Sequence, residues 1–337
     1  MAKYARRLQK IGSSMLISLP SEWVKNHNLR KGITVLIEIN KDNSISLYPS
    51  EIPNDDIKEI TIPYSPASMD SLVNQIYGAY LLGYNFIRIK GKYQISYDNR
   101  ELIKHAMQKL VGLEIIDEDG FNIISQFLLD ANALEAEKIL RRMSSIIAGM
   151  YRDTLDRLRA KESGIRKLIV SRDDEVDRQY FLLVRLIRSA MVDPKLASKL
   201  NLSNIDILDY RIAANYLESA GDYIADFSSA VSDIFHTRLI DLITEVSLLV
   251  EKMQDMSVSA FTSKNGSESI EVVKMYNKFN EVLNSIKELS AKMESKNQES
   301  TISVLNLTYS MDKIARCWVD IADLVKPVYL TAPLRNL

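Results

Sequence analysis

The residues with the clearest chemical potential are carboxylates spaced along one predicted helix. The residues that share this spacing are Arg211, Asn215, Glu218, Asp222 and Asp226. They recur every three or four positions, which places them within about 80° on one helix face. Like charges one turn apart destabilise a helix by roughly 0.2–0.5 kcal/mol per pair, so a nearby positive group would relieve the repulsion. A hard metal cation suits such oxygen ligands, and Arg211 is an alternative partner for one of them.

A second acidic pair, Asp173 and Asp177, is spaced one turn apart in the preceding predicted helix. We place the start of that helix at Arg172, so both acids would lie near its beginning and complement the helix dipole. Charged faces are common on helices, and spacing alone therefore favours a solvated acidic face over a metal site. The metal site is the alternative interpretation.

A weaker copy of the acidic stripe occurs in the last predicted helix. Arg316 stands there at the position that Asp222 has in the first stripe, so this copy has a fixed cation. If a metal binds, we expect it to favour the first stripe. The other positions of the copy are Asp312, Asp320 and Asp323, with Asn277 and Glu281 on the helix before it.

The net charge of −1 conceals a basic segment at the N-terminus. The chain has 43 basic and 44 acidic residues, yet residues 1–50 alone carry eight basic and three acidic side chains. Basic clusters bind the phosphates of double-stranded DNA, although a charged, solvated strand edge is an equally simple interpretation. The candidate DNA-binding residues are Lys3, Arg6, Arg7, Lys10 and Lys25.

Several functional classes lack their characteristic residues. The single cysteine, Cys317, excludes an intrachain disulfide and a cysteine-rich metal centre. The three histidines are scattered, and we find no phosphate-binding glycine loop and no paired nucleophile and base. No segment has the length and apolar character of a membrane span or a signal peptide. We therefore expect a cytoplasmic, non-enzymatic protein that is not embedded in a membrane.

Proline and glycine divide the sequence into three predicted domains, so we expect a multidomain fold. Residues 1–50 alternate short strands with one helix at Ser21–Asn26, which is too little to bury a core alone and favours dimerisation. Residues 51–130 predict a small α+β domain of order βαβαββ. Residues 131–330 contain few helix breakers and predict an all-α bundle of two three-helix repeats. Its predicted helices are 132–160, 172–193, 203–236, 238–261, 268–294 and 299–325.

Residues 6–49 resemble the SpoVT/AbrB-like family. The resemblance rests on Gly12, the apolar strand that ends in Leu19-Pro20, Lys31-Gly32 and the closing hairpin. It implies a swapped-hairpin homodimer that places basic loops on DNA, and Arg6, Arg7 and Lys25 fall at basic positions of that family. Ser13 departs from the family pattern, because many members carry a basic or amide side chain there.

The helical region resembles the PhoU family. Arg211–Phe227, RIAANYLESAGDYIADF, is similar to its acidic signature, and Arg172–Gln179, RDDEVDRQ, is similar to its companion helix. The resemblance implies control of phosphate uptake and multinuclear sites for divalent or trivalent metal ions. The implied ligands are Asp173, Asp177, Glu218, Asp222 and Asp226, and the resemblance reverses the preference for a solvated face.

The combination of modules resembles archaeal PhoU-like regulators. Our hypothesis is a dimeric, DNA-binding transcriptional regulator of phosphate uptake, in which the acidic helical domain senses a metal, phosphate or a partner. The alternative is a PhoU-like protein that docks on a phosphate transporter or sensor complex without binding DNA.

Overall fold

The computed structural model describes residues 4–39, 45–49, 57–160, 166–230, 237–293 and 298–325. The chain separates into two compact units, Met1–Ile57 and Lys58–Leu337. The second unit contains both the α+β layer and the helical bundle.

The N-terminal unit consists of two antiparallel hairpins and one short helix. Gly12 has a φ of +61°, a left-handed conformation that suits glycine in the turn of the first hairpin. The predicted helix is confirmed. The predicted turn at 41–43 lies outside the described residues. The elements are β1 (Gln9–Ile11), β2 (Ser14–Leu16), α1 (Ser21–Asn26), β3 (Val35–Ile39) and β4 (Ile45–Pro49).

The N-terminal unit has no core of its own in the part that the structure describes. None of its described side chains is buried. Ile37 is 62% exposed and Ile39 is 74% exposed, although both are strand residues that normally pack against a second layer. The large apolar side chains exposed in this unit are Tyr4, Leu8, Ile11, Met15, Leu16, Ile17, Ile33, Leu36, Ile37, Ile39, Ile45 and Ile57.

The α+β layer has the predicted βαβαββ order. Its four-stranded sheet has the strand order β5-β6-β8-β7, in which β5 and β6 are parallel and the other pairs are antiparallel. Alternate residues Ile87 and Ile89 of β6 are fully buried, whereas Arg88 points to the more open face. The elements are β5 (Glu59–Tyr64), α2 (Met69–Leu81), β6 (Phe86–Gly91), α3 (Tyr97–Gln108), β7 (Leu113–Glu118) and β8 (Asn122–Phe127).

Six long helices form the rest of the second unit, close to the predicted positions. They pack as two groups of three, α4 with α5 and α7, and α8 with α9 and α10, and α7 joins the groups by packing on α10. Their bounds are α4 (Ala136–Ala160), α5 (Arg166–Val192), α7 (Asn204–Ala230), α8 (Thr237–Ser263), α9 (Gly266–Met293) and α10 (Gln298–Asp323).

Local sequence signals explain the connection between α5 and α7. A short helix that was not predicted, α6 (Pro194–Lys199), begins with a proline, and the side chain of Asp193 caps it by accepting a hydrogen bond from the Lys195 amide. A capping box stands at the start of α7. Ser203 Oγ accepts from the Asp206 amide at 3.2 Å, and Asp206 accepts from the Ser203 amide at 2.8 Å.

A buried arginine joins the α+β layer to the bundle. Arg185 of α5 is 5% exposed and donates from Nη1 to the backbone oxygen of Tyr80 at 2.6 Å. Its guanidinium also lies 3.9 Å from the ring centre of Phe127, a favourable cation–π contact. Because these bonds hold α2 and β8 against α5, the position of the layer relative to that helix is set by specific contacts.

None of the helices in the described part of the chain is both long enough and apolar enough to cross a membrane.

Candidate functional site

The acidic residues predicted on two separate helices face a common region between α5 and α7. The two helices pack side by side. Asp173, Asp177 and Glu218 are partly buried, and Asp222 and Asp226 are exposed at the edge. These five residues are called the acidic patch below.

The carboxylates of the acidic patch destabilise each other's charged forms. Burial raises the pKa of Asp173 to about 7, and nearby carboxylates, first that of Asp222, add to the effect. Burial and then the charge of Asp222 raise the pKa of Asp177 and of Glu218 in the same way. The pKa of Asp222 is raised by partial loss of water and by the charge of Asp226. Electrostatic coupling across the interface therefore links all five residues.

The helix-dipole interpretation of Asp173 and Asp177 is wrong, and Arg211 acts on Glu218 through its charge without forming an ion pair in the described residues. The described part of α5 begins at Arg166, so Asp173 and Asp177 lie in the helix interior, beyond the reach of its dipole. Arg211 forms no ion pair within the described residues, and its guanidinium lies 5.2 Å from the ring centre of Tyr180. None of the acidic patch residues has an ion-pair partner in the described ranges, so the negative charge is left without direct neutralisation.

The acidic patch has the oxygen donors that a hard cation prefers, but its side chains as placed do not form a ligand group. Gly221 faces Asp173, and a Cβ atom at that position would lie 3.0 Å from Asp173 Oδ1, so the glycine allows the carboxylate to approach α7 closely. Within the described residues, no three histidine, cysteine or acidic side chains converge into a ligand group. A bound cation therefore requires rotation of these side chains, for which their partial exposure leaves room.

The second helix group has replaced this arrangement with internal partners. Both carboxylate oxygens of Asp312 are occupied, Oδ1 by the Tyr276 hydroxyl at 2.9 Å and Oδ2 by Arg316 Nε at 2.9 Å. The Arg316 guanidinium also lies 5.7 Å from the ring centre of Tyr276. Asp320 feels the positive charge of Arg316, which partly offsets the rise of its pKa caused by burial and by Asp323. Arg316, the fixed cation expected here, is thus paired with Asp312. These residues do not fit a metal site.

The predicted DNA-binding residues are exposed and form no ion pair within the described residues. Arg6, Arg7 and Lys10 lie at the start of the N-terminal unit, and Lys25 lies in the last turn of α1. Arg6 Nη1 donates to the backbone oxygen of Ala5 at 3.1 Å. Lys3 lies outside the described residues. Because these basic side chains are not paired with carboxylates in the described residues, they can bind a polyanion without first breaking an ion pair.

Sequence reasoning missed two residues beside the acidic patch. Lys109, which follows α3, has its Nζ atom 2.9 Å from Asp174 Oδ1. Gly221 allows Asp173 to approach α7 closely. The glycine next to Asp222 could have been noticed as an interruption of the helix. No periodic signal connects Lys109 with a residue 65 positions later.

Comparison with known families identifies the helical part. The PhoU domain matches residues 140–231 and 243–325, one match on each group of three long helices and together more than half of the chain. The chain belongs to the PhoU family. The predicted three-helix repeat is therefore a repeated PhoU domain, and the acidic patch lies within the first copy.

Solved PhoU structures are similar to this chain. The phosphate transport system regulatory protein PhoU from Streptococcus pneumoniae has a TM-score of 0.50 and 15% identity, covering 60% of this chain and 96% of that chain. PhoU from Pseudomonas aeruginosa has a TM-score of 0.49 and 15% identity, covering 56% and 93%. No curated protein sequence gives a significant match. At this identity the structural likeness concerns the fold alone.

We predict that replacing Asp173 by asparagine stabilises the metal-free protein at alkaline pH. The folded pKa of Asp173 lies near 7, above the unfolded value, so the folded state holds the proton longer and wild-type stability falls as the pH rises from about 4 through 7. Asp173→Asn removes this loss and should raise the free energy of unfolding by about 1 kcal/mol at pH near 8, after discounting for solvent screening. At pH near 4 the gain should vanish. Urea unfolding with a chelator measures both values.

The control for this experiment is Glu114→Gln, which removes an exposed carboxylate from β7. Its stability relative to wild type should change little between the two pH values. An Asp173→Asn effect that is the same at both pH values would contradict the raised pKa.

Proposed function

We propose that this protein is a regulator of phosphate transport that acts through binding and not through catalysis. The observation that carries the proposal is the match of both helix groups to the PhoU domain. The similar protein from Streptococcus pneumoniae is a phosphate transport system regulatory protein. The acidic patch supplies a site through which such a regulator can respond to a ligand.

We propose further that the N-terminal unit binds double-stranded DNA, which makes the protein a transcriptional regulator. Its resemblance to the SpoVT/AbrB-like family supports this, as do the exposed side chains of Arg6, Arg7, Lys10 and Lys25. Residues 1–139 lie before the PhoU match, so a separate activity can reside there. Phosphate contacts by such residues give affinity that depends strongly on salt concentration.

Removal of two of these charges tests DNA binding. Arg6→Ala with Arg7→Ala should weaken binding to all duplex sequences, because the lost contacts are to phosphates. Each lost contact should lower the slope of log affinity against log salt by roughly 0.9. Fluorescence anisotropy in a salt series measures the affinity and the slope.

The matched control is Lys90→Ala with Lys92→Ala, which removes two exposed lysines from the second unit. It should leave the affinity unchanged. Equal affinity and slope for the Arg6/Arg7 variant and wild type would contradict DNA binding by this segment. Retention of a phosphate transporter or sensor component by that protein would then support the docking alternative.

We propose that the N-terminal unit is completed by a second copy of the chain. Its strands expose apolar side chains and none of its described residues is buried, so a monomer leaves this surface in water. Burial of apolar area contributes about 25 cal/mol per Å². A second copy of the chain carries the same apolar surface, so the two copies can cover each other without a different partner protein.

The mass of the full-length protein tests this dimer. Light scattering should give twice the 38.4 kDa chain mass for wild type. Ile37→Glu places a charge on an exposed strand position and should shift the mass toward the monomer. Ile116→Glu on β7, which is 49% exposed, should leave the dimer intact. A monomeric wild type, or a dimer that Ile37→Glu does not weaken, would contradict the proposal.

We propose that the acidic patch binds a divalent or trivalent metal ion. The support is the set of carboxylates that have no ion-pair partner among the described residues, together with their mutually raised pKa values. Asp173, Asp177, Glu218, Asp222 and Asp226 would hold the ion. When bound, it would neutralise the repulsion between α5 and α7.

Elemental analysis tests the metal proposal. Glu218→Gln with Asp222→Asn should lower the metal content of the dialysed protein, because both substitutions remove charged oxygen ligands. The matched control, Asp320→Asn with Asp323→Asn, removes two carboxylates from the second helix group and should retain the wild-type content. Equal metal content in all three proteins would restore the solvated-face interpretation.

A further inference from the structure

The carboxylate of Glu175 in α5 accepts hydrogen bonds from three different side chains. Arg142 Nη2 of α4 and Gln179 Nε2 of α5 both donate to Glu175 Oε1 at 2.9 Å. Arg178 Nη1 donates to the other oxygen, Oε2, at 3.0 Å. Two guanidinium groups and an amide that converge on one carboxylate also suit a phosphoryl group, because arginine binds both kinds of anion with the same fork of N–H groups.

The donors around Glu175 are partly fixed by packing and partly open to solvent. Gln179 is 6% exposed, so its amide is held inside the bundle. Arg178 Nε is buried and has no hydrogen-bond partner within the described residues, which is unfavourable for an N–H donor. The side chains of Arg142 and Arg178 are 62% and 41% exposed, so a ligand can reach them from water. Glu175 therefore leaves one donor of this group unused.

These donors border a groove between α4 and α5. The groove has a volume of about 740 Å³, which is larger than a free phosphate ion requires. Glu175 and Arg178 line it together with a second arginine, Arg172, and the hydroxyl-bearing residues Ser145 and Ser171. Hydroxyl and guanidinium groups are both donors to phosphate oxygens, so the lining extends the same chemistry beyond Glu175.

The other charged groups of the groove are already paired. Arg172 Nη1 lies 2.5 Å from Asp153 Oδ2. A Cβ atom at Gly149 would lie 3.0 Å from the same nitrogen, so the glycine lets this guanidinium approach α4. Asp174, which also lines the groove, is 2.9 Å from Lys109 Nζ. Glu175 is therefore the carboxylate that an incoming anion has to displace from Arg142 and Arg178.

We infer that Arg142, Arg178 and Gln179 form a binding site for a phosphoryl group, and that Glu175 occupies this site when the ligand is absent. The ligand is inorganic phosphate or a phosphomonoester, since both present the same oxygen acceptors. The apparent affinity of such a site is reduced by the fraction of molecules in which it is free, so Glu175 sets the concentration at which the protein responds. This site adds a ligand to the regulatory role proposed above and does not depend on the acidic patch.

Calorimetric titration of the full-length protein with inorganic phosphate and with phenyl phosphate tests the inference. Glu175→Ala removes the competing carboxylate and should tighten binding about fivefold to twentyfold relative to wild type. Glu175→Gln keeps the size of the side chain without its charge and should bind with intermediate affinity. Tighter binding of phenyl phosphate would identify a phosphomonoester as the ligand, and tighter binding of phosphate would identify the free ion.

Two further variants serve as controls. Glu137→Ala also removes a carboxylate from an ion pair on α4, with Arg141 at 2.8 Å, and should keep the wild-type affinity. Glu175→Ala combined with Arg178→Met should lose the gain, because methionine keeps much of the apolar stem and removes the guanidinium. Thermal unfolding followed by circular dichroism checks that each variant is folded, and Glu175→Gln carries the comparison if Glu175→Ala is not.

Three outcomes would overturn the inference. The first is equal affinity in wild type, Glu175→Ala and Glu175→Gln, or no binding of either probe, which would leave Glu175 as a purely structural link between α4 and α5. The second is a gain that survives Arg178→Met. The third is an equal gain in Glu137→Ala, which would attribute the effect to net charge. The regulatory role proposed from the PhoU domain match would stand in each case.

Discussion

The electrostatic repulsion between carboxylates on α5 and α7 is the constraint on which the account of this protein depends. The apolar core of the helix bundle holds these helices together, with Val176 and Leu217 fully buried beside the acidic residues. Packing therefore maintains an arrangement that the charges oppose, as the raised pKa values of Asp173 and Glu218 indicate. Such a site can respond to a proton or a cation, because either one reduces the repulsion between the carboxylates.

The two PhoU domains of the chain differ in how the negative charge of their carboxylates is compensated. The second supplies Arg316 and Tyr276 to Asp312, so its charges are compensated within the helix group. The first keeps its carboxylates unpaired and places Lys109 of the α+β layer at their border. The two PhoU domains are therefore unlike in this respect, since only the second contains an arginine that is paired with a carboxylate of its stripe.

Much of the fold could be predicted from the sequence, because it follows from local signals. The scarcity of proline and glycine indicated the long helices, and the alternation of apolar segments indicated the βαβαββ layer. The predicted start of α5 at Arg172 was wrong, because the helix extends back to Arg166 through Leu168 and Ile169.

The candidate site could be predicted only in part. Helical spacing gathered Glu218, Asp222 and Asp226 on one face, and the family resemblance added Asp173 and Asp177. Spacing could not supply Lys109, since its contact with Asp174 depends on how two layers dock. Nor could it show that Arg211 prefers the ring of Tyr180 to a carboxylate, a choice made by the local packing.

The most direct test of the central claim is anomalous diffraction from crystals of the full-length protein grown with Mn²⁺. The account predicts an anomalous peak between α5 and α7, within coordinating distance of Asp173 and Glu218, and no peak beside Asp312 and Arg316. A peak at the second helix group, or none between α5 and α7 at saturating Mn²⁺, would contradict it.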